Sequence, residues 1–503
     1  MGLSIDARPP IDTGLPGTLS ASSLWSEGEM HRFRRMTLIW GVTVILLLPI
    51  WASLGYFMRM FQSDFFPHMR PEWFYAVLTM HSLGMVGTWF VGGMAGVSYL
   101  LARYTRPSLA VSKLNYVGTI LGVLLLLACT FGGLFGTGWY FLFPLPLYSQ
   151  GVWRPWATLT FFIGLAVLGV VWTIWTLDIL RAIAQRYSLK AALGLNYILG
   201  KPGPEVPPIV LITTTTLIVG FAGFVAAVIV IVLFAVDALG YTVDALLMKN
   251  LTFFFGHILV NITMYLGVGM VYELLPSYAG RPWKTTRVIA IAWDAVLFLI
   301  LFAYFHHLYM DFAQPRWVQT FGQICSYGLS VPAGVVSIFG CLALVYASKM
   351  KWTLASVLFF LGIMGWGVGG IAAVIDSTVE VNFHFHNTLW VPAHFHTYYL
   401  MGVVLIILGF VDYLGVEMSK VPENPSRTKA IIVLLFLGGY GFLSMFYWAG
   451  AHSVPRRYAV YPQEVAQGTL YARIAFGFIT VLLCGILLYL WETGKRCVKA
   501  FSA

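Results

Sequence analysis

Six histidines fall in three short clusters inside otherwise apolar stretches. They are Gly256-His257, the pair His306-His307, and the run His386-Asn387-Thr388-Leu389-Trp390-Val391-Pro392-Ala393-His394-Phe395-His396. A seventh, His81, sits in an apolar stretch nearer the N-terminus. Burying imidazole in hydrocarbon is costly unless it is paired, so intramembrane ionisable groups read as functional. One such histidine alone reads as a hydrogen-bonded core residue; three clusters point to metals. Residues two apart on a helix are separated by about 200°, so His394 and His396 face opposite sides and can serve two centres flanking one helix. Neighbours at about 100°, such as His306 and His307, can turn toward one metal if the helix is locally distorted, with His257 as a third ligand from an adjacent helix. Iron and copper both accept imidazole, and three imidazoles with an open position make a reactive site.

Those side chains must be carried by membrane-spanning elements. The chain has 503 residues, 59% hydrophobic and 10% charged, with mean hydropathy +0.81. A soluble domain would carry about a quarter charged residues. Apolar runs of about 20 residues, the length that spans hydrocarbon, recur throughout. Twelve are expected, near 36–58, 74–102, 114–136, 155–182, 209–237, 247–275, 285–310, 320–347, 353–376, 386–413, 428–450 and 468–494. The fold class is all-α and polytopic. Residues 1–30, rich in Pro, Gly and Ser, lack the apolar core of a signal peptide and are read as a cytoplasmic tail, leaving 31–503 as a single twelve-helix catalytic domain.

The net charge of +10 is a topology signal and excludes a nucleic-acid reading. Numbering the loops from the N-terminus puts 22 basic residues on one face and 8 on the other, together the 30 Lys and Arg of the chain. By the positive-inside bias both termini are cytoplasmic. The five cysteines (Cys129, Cys325, Cys341, Cys484 and Cys497) show no CxxC or CxxCH spacing, which excludes covalent c-type heme and a thiolate copper centre in this chain. If the metals do redox chemistry, electrons are expected from a donor on the outer face, either a cupredoxin-like subunit or a cytochrome c.

The run His386 to His396 followed by Met401-Gly402, with Phe255-Gly256-His257 and Phe305-His306-His307, resembles the metal-binding helices of subunit I of the heme-copper oxidase superfamily. The loop Val454-Pro455-Arg456-Arg457-Tyr458 resembles that family's heme-propionate clamp. The resemblance implies His81 and His396 as axial ligands of a low-spin heme and His394 as the single ligand of a high-spin heme. It implies His257, His306 and His307 around a non-heme copper or iron. Arg456 and Arg457 would pair with propionates, contacts suited to the guanidinium fork, and His386 would belong to the cofactor-binding set. A bacterial inner membrane is the expected location, with lipid as surroundings.

The sequence departs from the family pattern where chemistry is decided. Oxygen-reducing members usually carry Tyr four residues after the first His, joined to a metal-ligand imidazole; here the segment reads His257-Ile-Leu-Val-Asn261. Another branch places Tyr six residues before the His pair, where this chain has Ile300. Tyr265 and Tyr304 lie nearby at non-matching positions. The sixth-helix Glu is Leu259, and the eighth-helix Pro-Thr-Gly-x-Lys reads Pro332-Ala333-Gly334-Val335-Val336. An amide can hydrogen-bond but cannot be oxidised or deliver protons as phenol does. The superfamily's second chemistry, nitric oxide reduction, needs no such tyrosine, so the resemblance implies that activity. Even so, the best-known nitric oxide reductases place Glu where this chain has Asn261. Asn261 would orient NO or water, or only fill space. The alternative is a terminal oxygen reductase, and a His-rich transporter is a third reading from another class.

Overall fold

The computed structural model describes residues 24–502. Among the described residues, twelve helices are long and apolar enough to cross a membrane. In chain order they are α1 (Glu27–Gln62), α2 (Pro71–Leu101), α3 (Leu109–Gly132), α4 (Pro155–Tyr187), α5 (Pro208–Ala238), α6 (Ala245–Ala279), α7 (Arg287–Leu308), α8 (Arg316–Val345), α9 (Leu354–Asp376), α10 (Trp390–Ser419), α11 (Pro425–Ala451) and α12 (Gln467–Ser502). No named strand occurs among the described residues.

Helix starts follow local chemistry. Pro opens α2, α4, α5 and α11, where its missing N–H is free of cost. Asp244 caps α6 by accepting from the Leu247 N–H at 2.7 Å. At α1, Ser26 and Glu29 form a capping box, so the helix begins at Glu27. That start lies inside the tail expected to reach residue 30. Residues 1–23 of that expected tail lie outside the described residues.

Burial ranks the helices. In α6 and α10, 83% of the most apolar window is buried, against 28% in α8 and 33% in α3. α6 and α10 are thus the central pair, and α3 and α8 present Leu121, Leu124, Val331 and Phe339 outward. Lipid tails are as apolar as the side chains, so close backbone contact rather than hydrophobic burial must hold the centre together. Gly365 and Gly369 of α9 supply it: a Cβ on Gly365 would stand 2.0 Å from the Met401 carbonyl oxygen, and one on Gly369 2.9 Å from the Tyr398 Cα. Nearer one end of the bundle, Arg496 of α12 pairs with the fully buried Asp412 of α10, which also accepts from the Thr493 hydroxyl at 2.8 Å.

At the α10 start the chain departs from its expected course. The helix begins at Trp390, not at 386. Asn387 has φ +62°, and its carbonyl accepts from the Arg456 N–H at 2.9 Å. The Leu389 N–H donates to the Val454 carbonyl at 2.8 Å, and Thr388 and Pro455 form an isolated antiparallel bridge. Pinning these backbone groups to the 454–456 loop leaves them unable to continue a helix, so His386 is the C-cap of a short helix, Val379–Phe385.

Candidate metal centre

His257, on α6, and His306 and His307, at the end of α7, have ligand nitrogens all within 4.8 Å of one another. The local distortion required of the His pair is present: Tyr304–Leu308 is a 3-10 turn closing α7. Within this turn the two adjacent rings stand with centroids 4.2 Å apart. His257 Nδ1 and His307 Nε2 stand 3.4 Å apart. Two nitrogens sharing a metal at about 2.0–2.1 Å each can be at most about 4 Å apart, so this pair is already within range.

Hydrogen bonds behind the rings set which nitrogen faces inward. The Ser326 hydroxyl spends its proton on the Gly322 carbonyl at 2.7 Å, so at 3.1 Å it accepts from His306 Nδ1 and leaves Nε2 free. His394 Nδ1 donates to the Gly369 carbonyl at 3.2 Å, His81 Nδ1 to Trp51 at 2.8 Å, and His396 Nδ1 to Pro392 at 2.7 Å. A carbonyl only accepts, so in each case Nδ1 carries the proton and Nε2 is the free donor atom. This outer hydrogen bonding is the usual companion of metal-ligating imidazole.

His81 and His396 lie opposite one another across a gap. Their rings are 14° from parallel with centroids 6.2 Å apart, a spacing that two metal–nitrogen bonds of about 2 Å each plus the two ring radii would fill. Gly55 makes room: a Cβ there would stand 2.7 Å from His81 Cε1. His394 turns to the other side of α10, as the two-residue spacing requires. One cavity is lined by His81, His396, His394, His257, His306 and His307, and it continues to Arg456, Arg457 and Asp376.

At that end the arginines are placed for an anionic group. Arg456 donates through Nη2 to Asn387 Oδ1 at 2.9 Å, while its buried Nε has no partner. Arg457, at φ +66°, lies over the Tyr140 ring at 4.1 Å, and burial pushes its guanidinium below the usual range. An orphaned buried N–H of this kind is satisfied by a carboxylate. The residues therefore fit two porphyrins with outward propionates and one non-heme metal.

His386 is not among the residues lining the cavity. It is half-buried on the loop, and burial, with Arg456 and Lys249 adding, pushes its imidazole down to about 4. Expected beside the ligands, it instead stands outside the cavity, because the loop pairing starts α10 four residues later.

Asn261 lines the cavity one turn beyond His257. Its Nδ2 donates to the His257 carbonyl at 2.8 Å and stands 3.3 Å from His257 Nε2, while its Oδ1 accepts from the Tyr398 hydroxyl at 3.0 Å. Tyr265 reaches the same oxygen at 3.5 Å. Tyr304 bonds Asn250 instead.

Two further residues line the cavity without having been singled out in the sequence. Tyr398 lies four residues after His394, hence on the same helix face, and that spacing was the available signal. Arg59 of α1 is buried over the Phe446 ring at 4.7 Å; it lies one residue past the expected span 36–58. Neither Asp294 nor Glu380 lines the cavity, and buried Asp294 Oδ1 has no hydrogen-bond partner.

A buried imidazole triad beside a bis-imidazole gap in a twelve-helix bundle defines a membrane metalloprotein built for redox chemistry. The chain matches the family described as cytochrome c and quinol oxidase polypeptide I over residues 35–492, and it belongs to that family, as a heme-copper oxidase subunit I superfamily member. It is 24% identical to cytochrome c oxidase subunit 1 of Thermus thermophilus over 510 residues, covering 94% of this chain and 86% of the relative. It is 26% identical to that of Corynebacterium diphtheriae, covering 90% and 81%. A cryo-EM structure of a heme-copper terminal oxidase dimer superposes with TM-score 0.76 at 18% identity, covering 93% of this chain and 84% of that one. The family implies hemes and a metal centre, and oxidoreductase chemistry.

Proposed function

We propose that the chain is the catalytic subunit of a membrane nitric oxide reductase, performing 2 NO + 2 e⁻ + 2 H⁺ → N₂O + H₂O. The observation carrying this reading is Asn261. The His257 ring edge that faces away from the other two ligands meets a carboxamide at 3.3 Å, where a phenol would be needed to supply an electron and a proton for O–O cleavage. Two NO molecules joined with two electrons require no such side chain.

The hemes and the non-heme metal, copper or iron, supply electron transfer and gas binding when bound. His81 and His396 would hold one heme, suited to electron transfer, and His394 a second. His257, His306 and His307 would hold the non-heme metal, where the gas would be bound. Trp51, Pro392, Gly369 and Ser326 keep these rings aimed through their Nδ1 hydrogen bonds. The Asn261 amide is a donor at the pocket wall, able to orient a bound diatomic or a water. Electrons would come from a cupredoxin-like subunit or a cytochrome c on the outer face, the chain lying in a bacterial cytoplasmic membrane with both termini inside.

Terminal oxygen reduction, O₂ + 4 e⁻ + 4 H⁺ → 2 H₂O, is the second reading. The names of the relatives favour it, and so does the Tyr398 phenol one hydrogen bond behind Asn261. Turnover of the purified holoenzyme at NO and O₂ electrodes, with N₂O measured by gas chromatography, separates the two. Rapid NO loss with stoichiometric N₂O and negligible O₂ uptake is expected; fast O₂ reduction to water overturns the proposal.

A further inference from the structure

α1 and α12 pack along each other, and between them lies a groove of about 420 Å³. Its walls include Val42 and Leu46 of α1 and Leu487, Leu490, Trp491 and Gly494 of α12. Leu46, Leu487 and Trp491 are exposed there. The groove shares no lining residue with the metal cavity.

A glycine keeps the groove open. Glycine is costly inside a helix, and in a membrane bundle its usual reason is a close helix crossing. Gly485 of α12 fits that account, since a Cβ there would stand 3.0 Å from the Leu434 Cβ. Gly494 does not, for a Cβ there would meet nothing within 4 Å. It borders a space that no other described part of the chain fills.

Charge changes along the groove as depth in a bilayer requires. The span expected for α12 ends at 494, which places Leu487 and Leu490, with Val42 and Leu46 of α1, at hydrocarbon depth. Trp491 stands near the boundary, the level where tryptophan collects. Lys495 and Lys499 follow about one and two turns later, and Lys495 Nζ lies over the Trp491 ring at 3.9 Å. The acid beside them, buried Glu492, is held by Arg427 at 2.6 Å and reaches Lys495 only at 3.8 Å. On α1, exposed Arg35 lies two turns before Val42 on the same helix face. Apolar walls, an indole and then cations match in order the acyl chain, glycerol and phosphate of an anionic lipid. Basic pockets between spanning helices on the cytoplasmic side suit such head groups.

We propose that this groove is a binding site for one anionic glycerophospholipid of the phosphatidylglycerol class. An acyl chain would lie past Gly494 between α1 and α12, and Lys495 and Lys499 would take the phosphate. The site rests on the chain spanning a membrane, and not on which gas is reduced.

Native mass spectrometry of the delipidated holoenzyme, titrated with dioleoylphosphatidylglycerol or dioleoylphosphatidylcholine, tests it. The parent is expected to retain one phosphatidylglycerol at activation that strips phosphatidylcholine. A basic residue near the surface contributes about fivefold to anionic lipid binding, so Lys495→Gln with Lys499→Gln is expected to lower the preference about 25-fold. Gly494→Leu enters open space, and is expected to keep both heme bands and lose the retained lipid. If that variant does not fold, the exposed lysine pair decides alone. Equal retention of the two lipids by the parent, an unchanged preference in the lysine pair, or unchanged retention in folded Gly494→Leu overturns the proposal. So does photocrosslinking in native membranes from benzoylphenylalanine in place of Gly494 to a polypeptide and not to lipid, which would assign the groove to an accessory helix.

Discussion

At the scale of single residues, the function of each imidazole follows from what lies behind it. His394 and His396 share a helix and differ by two positions, yet one is aimed by the Gly369 carbonyl of α9 and the other by the Pro392 carbonyl of its own helix. In the proposed ligation they serve different irons, so their removal is expected to have different spectra. His394→Ala is expected to abolish the high-spin heme signal while leaving the low-spin bands, checked by reduced-minus-oxidised and CO-difference spectra of the purified protein. Loss of both signals from folded protein would show that the two rings are not independent. The candidate ligands were legible in the sequence because imidazole has no ordinary reason to recur in apolar helices. Tyr398 was harder to see, because tyrosine is common here, with 26 in the chain, and only the fold brings its hydroxyl to Asn261. His386 misled for the converse reason: it sits in the histidine-rich run, but the backbone pairing that excludes it from α10 involves residues 454–456, far away in sequence.

At the scale of elements, the helices cross where small residues permit it, and cofactor geometry depends on those crossings. Gly55 of α1 faces the His81 ring of α2, and α1 also offers the Trp51 carbonyl that orients that ring. A methyl group at 55 would come within 2.7 Å of His81 Cε1, closer than real Cβ contacts. Gly55→Ala is therefore expected to displace the ring and weaken or shift the low-spin band, leaving the CO-reactive heme unchanged; an unaltered low-spin band would show that the ring shifts without consequence. The α10–α12 contact depends on charge instead. Arg496 and Asp412 have side chains 3% and 0% exposed, so the carboxylate without its partner would be an uncompensated buried charge. Arg496→Leu is expected to cost about 3–5 kcal/mol, seen as a large fall in the midpoint of thermal unfolding in detergent. Asp412→Asn together with Arg496→Leu should recover part of it, since removing both charges removes the penalty. Helix count and approximate spans could be read from hydropathy, whereas these crossings could not, because glycine and buried ion pairs mean different things on a lipid face and in a core.

At the scale of the whole molecule, the question is from which side the site draws its protons. The inner-side candidate on α6, Glu273, is held by Arg103 at 2.9 Å and by the Tyr104 hydroxyl at 3.0 Å, so both its charge and its acceptor capacity are engaged. The positions where the family carries an inner-path Glu and Lys are Leu259 and Val336, neither of which can hold a proton. On the other side Asp376 lines the metal cavity near Arg456, is buried, and has one carboxylate oxygen without a hydrogen-bond partner. An acid with free acceptor capacity at the mouth of the cavity is better placed to pass protons than one locked in an ion pair. With the donor proposed for the outer face as well, electrons and protons would enter from the same side, and turnover would move no net charge across the membrane. Proteoliposomes with the outer face exposed and a pH dye in the external medium test this by stopped flow with NO and reduced donor. External alkalinisation unaffected by protonophore, with no membrane potential reported by a voltage-sensitive dye, is the expected result. Alkalinisation of the lumen, or a potential that protonophore collapses, would mean that protons reach the pocket from the inner side past Glu273, and Glu273→Gln should then abolish it.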